Sequence, residues 1–313
     1  MTTDITHAVR GGLGEDTQHG AVTPPLHLSS NFTFADFDEP RQYDYTRSGN
    51  PTRDALANTL AKLEHGAGCT VTGSGMAAIH LVLQLLKPGD LLVAPHDCYG
   101  GTFRLFESLA ERGSLRLALV DQTDADALAA ALALKPTLVW VETPSNPLLR
   151  LVDIEAVARA SHAAGALVAV DNTFLSPALQ QPIKLGADIV VHSTTKYLNG
   201  HSDVVGGAVI AASDTLHERI AWWANNIGCS GAPFDSFLTL RGLRTLDARL
   251  RVHESNARSL AELLLAHSQV TAVHYPGLAS HPDHVLASRQ QRGFGGMISF
   301  ELAGGEAAVR RFF

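Results

Sequence analysis

The residues best suited to chemistry lie between positions 190 and 207, in the segment VVHSTTKYLNGHSDVVGG. The run Ile189–Val191 is apolar and typical of a buried parallel strand, and the hydroxyl groups of Ser193 and Thr195 then precede Lys196. A lysine at the end of a buried strand is costly unless it has a partner or a function, although a single such lysine is more often a solvated surface residue. Small hydroxyl donors beside a lysine suit a phosphate group next to an amine nucleophile. The segment therefore predicts a site for pyridoxal phosphate (PLP), whose aldehyde forms a Schiff base with a lysine.

Short apolar segments alternate with amphipathic segments from residue 67 to residue 211, and this alternation predicts how the lysine is positioned. It is typical of an α/β fold in which helices cover both faces of a mostly parallel sheet. Ligands of such sheets bind beyond the carboxyl ends of the strands, so the polar residues that follow each apolar run are the candidate site residues. Residues 1–48 are instead predicted to be irregular, because they are rich in Gly, Pro, Ser and Asn.

The first of these strand ends carries the segment GSGMAA, which includes Gly75 and Met76. Small residues and free backbone amides at the start of a helix form an anion site, so a phosphate group can bind here. The same letters match the loose dinucleotide fingerprint GxGxxA, and Asp97 follows the next strand, near the place where that fingerprint requires an acid. A lysine, hydroxyl groups and a second aspartate have no role in nicotinamide binding, so we favour the phosphate of PLP over a dinucleotide.

Three later strand ends add groups that could contact a planar ring, namely Tyr99, Asn146 and Asp171. Tyr99 lies on a Gly-rich turn from which its ring could stack on a ligand, with a purely structural aromatic as the alternative. The turn PSNP presents Asn146. Asp171 follows the apolar run 166–170, and a partly buried carboxylate needs a cationic partner, such as a protonated pyridine nitrogen, unless it caps the next turn. Such a pair would keep the ring cationic, as an electron sink requires.

Composition and charge argue against several other classes of function. The 313 residues include 24 basic and 31 acidic side chains, which gives a net charge of −7 without a basic run and argues against nucleic-acid binding. The histidines show no metal-ligand spacing, so no metal is predicted. The N-terminus lacks the apolar core of a signal peptide, and no apolar run reaches membrane-spanning length. The three widely spaced cysteines suit a reducing compartment. We therefore expect a cytoplasmic protein that binds neither nucleic acid nor a membrane.

The sequence resembles the cysteine/methionine-metabolism family of PLP-dependent enzymes, whose members share the aspartate-aminotransferase fold. The resemblance covers the whole chain and rests on the blocks YTRSGNPTR, GSGMAAIH, PHDCYGG, VETPSNPLL, VDNTF and HSTTKYLNGHSDVVGG. Within the family, the segments DCYGGTFRLFESLA, DNTFLSPALQ and AWWANNIG are most similar to members that catalyse γ-replacement. The resemblance implies a fold-type I PLP-dependent transferase with an N-terminal arm and a smaller C-terminal α/β domain.

The resemblance also implies a role for each candidate residue. Lys196 binds the cofactor and then transfers protons, Asp171 pairs with the pyridinium nitrogen, and Tyr99 stacks on the ring and deprotonates the incoming amine. The phosphate contacts are Gly75, Met76, Ser193 and Thr195. Thr173 and Asn146 contact the surroundings of the ring. Tyr45 and Arg47 reach the phosphate of a neighbouring subunit.

The arm that carries Tyr45 and Arg47 is polar and turn-rich, and we expect it to have no partner within its own chain. The planar guanidinium of Arg47 suits a phosphate group. The resemblance therefore implies an active site that is complete only in a homodimer, and relatives that assemble as homotetramers. It implies three parts: the arm (1–48), the PLP-binding domain (49–243) and the start of an incomplete C-terminal domain (244–313). Family members continue beyond this point, into a segment that holds the arginine for the substrate α-carboxylate.

The activity that the resemblance implies is a γ-replacement in methionine biosynthesis, within transsulfuration. L-Cysteine displaces the acyl group of O-succinyl-L-homoserine, or of another O-acyl-L-homoserine, to give L-cystathionine. Arg104 is a candidate for the distal substrate carboxylate and Asn146 for a further substrate contact, with a solvated helix arginine as the alternative for Arg104. Ser48 stands where some γ-replacing members have a second arginine, which leaves γ-elimination of cystathionine open. Gly101 stands where methionine-cleaving members have a cysteine, which disfavours that activity. A PLP-binding scaffold without turnover is the alternative that is not an enzyme.

Overall fold

The structure, a computed structural model, describes residues 3–313 and has the predicted α/β architecture. Within these residues the main sheet has seven strands in the order β1-β7-β6-β5-β4-β2-β3. Strands β2 to β6 run parallel, whereas β7 is antiparallel to both β6 and β1. The strands are β1 (Gly68–Thr72), β2 (Leu91–Pro95), β3 (Arg116–Val120), β4 (Leu138–Glu142), β5 (Leu167–Asp171), β6 (Ile189–Ser193) and β7 (Gly207–Ala211).

Helices connect these strands and cover the two faces of the sheet. They are α1 (Asp4–Arg10), α2 (Pro51–Glu64), α3 (Gly75–Leu83), α4 (Gly100–Glu111), α5 (Ala125–Leu132), α6 (Ile154–Ala163), α7 (Ser176–Leu179), α8 (Asp214–Ile227), α9 (Pro233–Leu243) and α10 (Leu246–Leu265). A short 3-10 helix, Pro182–Leu185, precedes β6.

The inner strands are apolar at almost every position because helices bury both of their faces. All five residues of β2, β4 and β7 are buried, whereas β3, at the edge of the sheet, is partly exposed. On one face, α3, α4 and α8 pack over side chains that include Trp140, whose ring meets the Phe106 ring edge-on at 5.6 Å between centroids. On the other face, α2, α9 and α10 pack over β1, β6 and β7, while α5 and α6 pack over β2, β4 and β5. The sheet is therefore rigid where its strands end.

A smaller unit follows the main sheet. Strands β8 (Val270–His274) and β9 (Ser299–Leu302) form an antiparallel two-stranded sheet, joined by α11 (His284–Gln290) and followed by α12 (Gly305–Phe312). Ala257 and Ala261 of α10 pack with Tyr275 beneath it. Helix α10 therefore links this unit to the main sheet.

Helix α1 lies where the sequence predicts irregular chain, so that prediction is wrong for Asp4–Arg10. The hydroxyl of Thr3 caps the helix by accepting a hydrogen bond from the Thr6 amide, and Asp4 in the first turn suits the helix dipole. Ala8 is its buried residue. A helix of seven residues with such a narrow buried face has too little hydrophobic periodicity to be recognised from sequence.

Among the helices of residues 3–313, none has both the length and the apolar character required to cross a membrane.

Candidate active site

The N-terminus of α3 lies against the carboxyl end of β6 and forms a cradle for an anion. A Cβ atom added to Gly75 would lie 2.8 Å from the Ser193 Cβ and 3.1 Å from its Oγ, so only glycine permits this approach. Ser74 caps the helix, its hydroxyl accepting from the Ala77 amide at 3.1 Å. The amides of Gly75 and Met76 begin the helix and have no intrahelical acceptor. Backbone donors and a serine hydroxyl therefore converge where a phosphate group would be bound.

Two further glycines hold the neighbouring hydroxyl groups in place. A Cβ atom at Gly207 would lie 2.2 Å from the Ser74 carbonyl oxygen, so the start of β7 touches the loop before α3. The amide of Gly206 donates to Thr195 Oγ1 at 3.0 Å, on the turn that follows β6. Gly206 and Gly207 therefore pack the turn after β6 against the cradle at the N-terminus of α3.

Asp171 ends β5 and is tied to the end of β6 through Thr173. The Thr173 amide donates to Asp171 Oδ1 at 3.0 Å, and the amide of Ser193 donates to Thr173 Oγ1 at 2.9 Å. Burial raises the pKa of Asp171, although hydrogen bonds from Thr173 oppose that rise. The ion pairs of residues 3–313 do not include Asp171. Such a carboxylate suits a cation supplied by a ligand, as the predicted pairing with a pyridinium nitrogen requires.

Glu142 is a site residue that the sequence analysis missed. It ends β4 in register with Asp171, and it is 7% exposed. The backbone amide of Tyr99 donates to Glu142 Oε2 at 2.9 Å. The signal was present in the sequence, because the run TLVWVE ends in an acid just as the run ALVAVD does. Glu142 therefore holds the backbone of Tyr99 at the carboxyl edge of the sheet.

Tyr99 is 49% exposed. A Cβ atom at Gly101 would lie 2.5 Å from Tyr99 Cε1 and 3.1 Å from Met76 Sδ. The tyrosine ring therefore lies across Gly101 and beside Met76, in a position from which it can stack on a ring bound to the cradle. Any larger residue at position 101 would have to displace the tyrosine.

Lys196 lies on the turn after β6, beside the groups that the cradle assembles. Its amide donates to the Ser193 carbonyl at 3.3 Å, and its carbonyl accepts from the Gly200 amide at 2.8 Å. The side chain is exposed, and within residues 3–313 it forms neither a side-chain hydrogen bond nor an ion pair. The amine is therefore available to a ligand.

Arg47 of the arm contacts residues of its own chain. Arg47 Nη1 donates to Asn225 Oδ1 at 2.8 Å, and its guanidinium lies 5.4 Å from the centre of the Tyr45 ring. Arg53 of α2 also contacts this segment, because its Nη2 donates to the Thr46 carbonyl at 2.6 Å. The expectation that the arm has no partner in its own chain is therefore wrong for Arg47. Arg104 is exposed on α4, one turn from Tyr99.

The donor set fits PLP. The exposed amine suits its aldehyde, and the helix N-terminus with its hydroxyl groups suits its phosphate. The aromatic ring suits the face of the PLP ring, and the carboxylate without a cationic partner suits the ring nitrogen. In the described part of the chain, no group of three or more His, Cys, Asp and Glu side chains could hold a metal ion.

Comparisons with known proteins point to the same chemistry. The profile of the family described as Cys/Met metabolism PLP-dependent enzyme matches residues 5–313. Cystathionine gamma-synthase of Escherichia coli is 58% identical over 98% of this chain and 80% of that protein. The crystal structure of cystathionine gamma synthase from Xanthomonas oryzae pv. oryzae in complex with cystathionine is 63% identical, with a TM-score of 0.98 over 99% of this chain and 80% of that chain. Cystathionine gamma-lyase from Lactobacillus plantarum, complexed with L-serine, is 41% identical, with a TM-score of 0.94 over 97% and 79% of the two chains.

Proposed function

The chain belongs to the family of Cys/Met metabolism PLP-dependent enzymes, and we propose that it catalyses the cystathionine γ-synthase reaction. In this reaction, the thiolate of L-cysteine replaces the acyl group of O-succinyl-L-homoserine, or of another O-acyl-L-homoserine, and gives L-cystathionine. The observation that carries the proposal is the 63% identity, at a TM-score of 0.98, to a synthase that was crystallised with cystathionine. The γ-lyase described above is 41% identical.

The roles of the chain's own residues follow from the edge of the sheet. When bound, PLP supplies an aldehyde that condenses with an amine and a ring that withdraws electrons from the substrate Cα. Lys196 holds the cofactor, removes the proton from the substrate Cα and then assists proton transfer at Cβ. Asp171 keeps a negative charge facing the ring nitrogen. Tyr99 stacks on the ring and accepts a proton from the incoming amine.

The remaining predicted contacts keep their roles within the proposal. Amides and hydroxyl groups of Gly75, Met76, Ser193 and Thr195 would hold the phosphate. Thr173 and Asn146, which follow strand ends, would contact the surroundings of the ring. The close packing of Gly75 against Ser193 supports these phosphate contacts, because a Cβ atom added to Gly75 would lie 2.8 Å from the Ser193 Cβ. Arg104 and Asn146 stay proposed substrate contacts.

Self-association is also part of the proposal. The segment 20–49 exposes large apolar side chains, among them Val22 (68%), Leu28 (67%) and Phe37 (94%). Exposed apolar groups on an irregular arm suit burial against a second copy of the chain. We propose a homodimer in which Tyr45 and Arg47 reach the phosphate of the neighbouring subunit, and a homotetramer built from it. Arg47 would then exchange its bond with Asn225 for that phosphate.

The division into an arm (1–48), a PLP-binding domain (49–243) and the start of a C-terminal domain (244–313) is proposed with this assembly. A cytoplasmic location is proposed as well, on the ground that three widely spaced cysteines suit a reducing compartment.

The cystathionine γ-lyase reaction is the second candidate, and Ser48 is the observation that favours it. The side chain of Ser48 donates to Asp44 Oδ1 at 2.9 Å and is too short to reach a distal carboxylate as an arginine would. Cleavage of methionine stays disfavoured, because Gly101 stands where the resemblance places a cysteine in methionine-cleaving members.

The experiment supplies the purified protein with O-succinyl-L-homoserine, with and without L-cysteine, and separately with L-cystathionine. Products are identified by mass spectrometry, and a Lys196→Ala variant is the control. We expect cystathionine from the first pair and little breakdown of cystathionine. Rapid release of cysteine from cystathionine without synthesis would instead assign the lyase reaction.

A further inference from the structure

The carboxyl group of Glu142 is a buried titratable group at the candidate active site, and the roles above leave it without a function. It is in register with Asp171 on the adjoining parallel strand, so the two side chains point to the same face of the sheet as immediate neighbours. One of its oxygens accepts the Tyr99 amide at 2.9 Å. Glu142 therefore bonds the backbone of the residue proposed for the ring face and lies beside the residue proposed for the ring nitrogen on the adjoining strand.

Two neighbouring carboxyl groups that are shielded from water do not both ionise at low cost. Burial raises the pKa of Glu142, and the negative charge of Asp171 raises it further. Burial also raises the pKa of Asp171, but hydrogen bonds from Thr173 act in the opposite direction. Because Asp97 and Asp171 both place negative charge beside Glu142, we expect the shared proton of the pair to lie on Glu142.

The other ionisable groups around Glu142 offer it no counter-charge. Asp97 adds negative charge near Glu142. The cation Arg150 pairs with Asp97, at 3.7 Å, and not with Glu142. Burial raises the pKa of the Cys98 thiol to about 12, so that group is neutral near neutral pH. His192 of β6 points to the opposite face of the sheet, as its alternation with Val191 requires.

We propose that Glu142 is a positioning residue of the PLP site, whose neutral carboxyl group fixes the backbone of Tyr99 and leaves Asp171 as the single negative charge that faces the ring nitrogen. The tyrosine is then held by a rigid strand rather than by its own loop. One carboxylate balances one pyridinium, and no second buried charge is left without a partner. The inference rests on the proposed function for the identity of the cofactor, whereas the carboxyl pair belongs to the chain itself.

The first test is an infrared spectrum of the protein near neutral pH. A protonated carboxylic acid absorbs in the carbonyl region, apart from the bands of carboxylates. We expect this acid band in the wild-type protein and its loss in Glu142→Gln. The matched control is Asp121→Asn, which removes an acid that is paired with Arg150 and does not act on Glu142, and it should leave the band unchanged.

The second test measures the affinity of each variant, freed of cofactor, for PLP by the rise of visible absorbance. Glutamine is neutral and keeps an acceptor oxygen for the Tyr99 amide, so Glu142→Gln should bind PLP within about threefold of wild type. Glu142→Leu leaves that amide without its partner and should bind at least about tenfold more weakly. Near-normal PLP affinity with glutamine but not with leucine would show that the hydrogen bond to Tyr99 matters, and not only the volume of the side chain.

Three results would overturn the proposal: an infrared spectrum in which Glu142→Gln removes no acid band, a PLP affinity as weak in the glutamine variant as in the leucine variant, or a glutamine variant that does not fold. The infrared result needs neither cofactor nor turnover. A protein with the acid band but without synthase activity would therefore reject the proposed function and leave the role of Glu142 standing.

Discussion

The two faces of the sheet differ where β5 and β6 end, although both carry buried polar side chains. On the face opposite the site, Glu64 and His192 are both 0% exposed and their side chains bond at 2.6 Å. Asn172 Nδ2 donates to the same Glu64 oxygen at 2.9 Å, and Gln180 Nε2 donates to Asn172 Oδ1 at 3.0 Å. Side chains from α2, β6 and the loops after β5 therefore bind one another there.

On the site face, the corresponding groups bind backbone, and within residues 3–313 none of them forms an ion pair. Asp171 accepts from the Thr173 amide, Glu142 accepts from the Tyr99 amide, and the Lys196 amine is exposed. Asp171 and Asn172 are consecutive residues, yet Asp171 lies on the site face and Asn172 holds α2 to the sheet. The difference teaches that a buried polar residue with side-chain partners maintains the fold, whereas one without a counter-charge is reserved for a ligand.

Lys196→Ala breaks the site face alone and should have the largest effect on activity. Loss of the amine that is proposed to bind the cofactor and move protons should lower kcat by at least about a thousandfold. The thermal midpoint should change by less than about 2 °C, because the side chain is exposed. Steady-state kinetics and thermal unfolding check both statements. A large fall in the midpoint would mean that Lys196 also supports the fold.

Asp171→Asn and Asn172→Ala test the comparison on two consecutive residues. Loss of the Asp171 charge should lower kcat by about a hundredfold or more while the protein stays folded. Loss of the Asn172 amide should instead lower the free energy of unfolding by about 1–3 kcal/mol, because Glu64 and Gln180 lose a buried partner. Kinetics per folded protein and urea unfolding separate the two outcomes. Equal losses of kcat in both variants would contradict the division between the faces.

His192→Leu breaks the opposite face and should act on stability. It leaves the buried Glu64 carboxyl group with Asn172 as its remaining partner, so the free energy of unfolding should fall by about 1–3 kcal/mol. The double variant Glu64→Leu with His192→Leu removes both partners and should be more stable than His192→Leu alone. Urea unfolding of both proteins provides the measurement. A double variant that is less stable than the single one would show that the two side chains do more than satisfy each other's hydrogen bonds.

Gly101→Ala should have the smallest effect. The new methyl group would meet Tyr99 Cε1 at 2.5 Å, and the ring has to move to make room. Because the clash is with the end of a side chain, we expect kcat to fall only about three- to tenfold, with unchanged folding. Kinetics with O-succinyl-L-homoserine and L-cysteine measure it. An unchanged kcat would mean that the position of the ring does not matter for turnover.

The sequence predicts the sheet well because each inner strand is a short apolar run followed by a polar residue. That logic leads to the α/β class and to the region of Gly75, Asp171 and Lys196, and the α/β class is confirmed. The same logic applied to β4 would have found Glu142. The roles of the site residues stay predictions.

Other features have no signal in the sequence. Glu64 and His192 are 128 residues apart, and Arg47 and Asn225 are 178 apart, so their pairing depends on tertiary packing that no local pattern encodes. The capped helix at Asp4–Arg10 is too short for periodicity to reveal it. Local patterns therefore predict where strands end, but not which distant side chains meet behind them.

The central claim is that the carboxyl edge of the sheet holds PLP on one lysine. Reduction of the PLP-loaded protein with borohydride, followed by proteolysis and mass spectrometry, would locate the cofactor directly. The account predicts one pyridoxyl group per chain, on Lys196. A pyridoxyl group on Lys62, Lys87, Lys135 or Lys184, or no modified lysine at all, would contradict it.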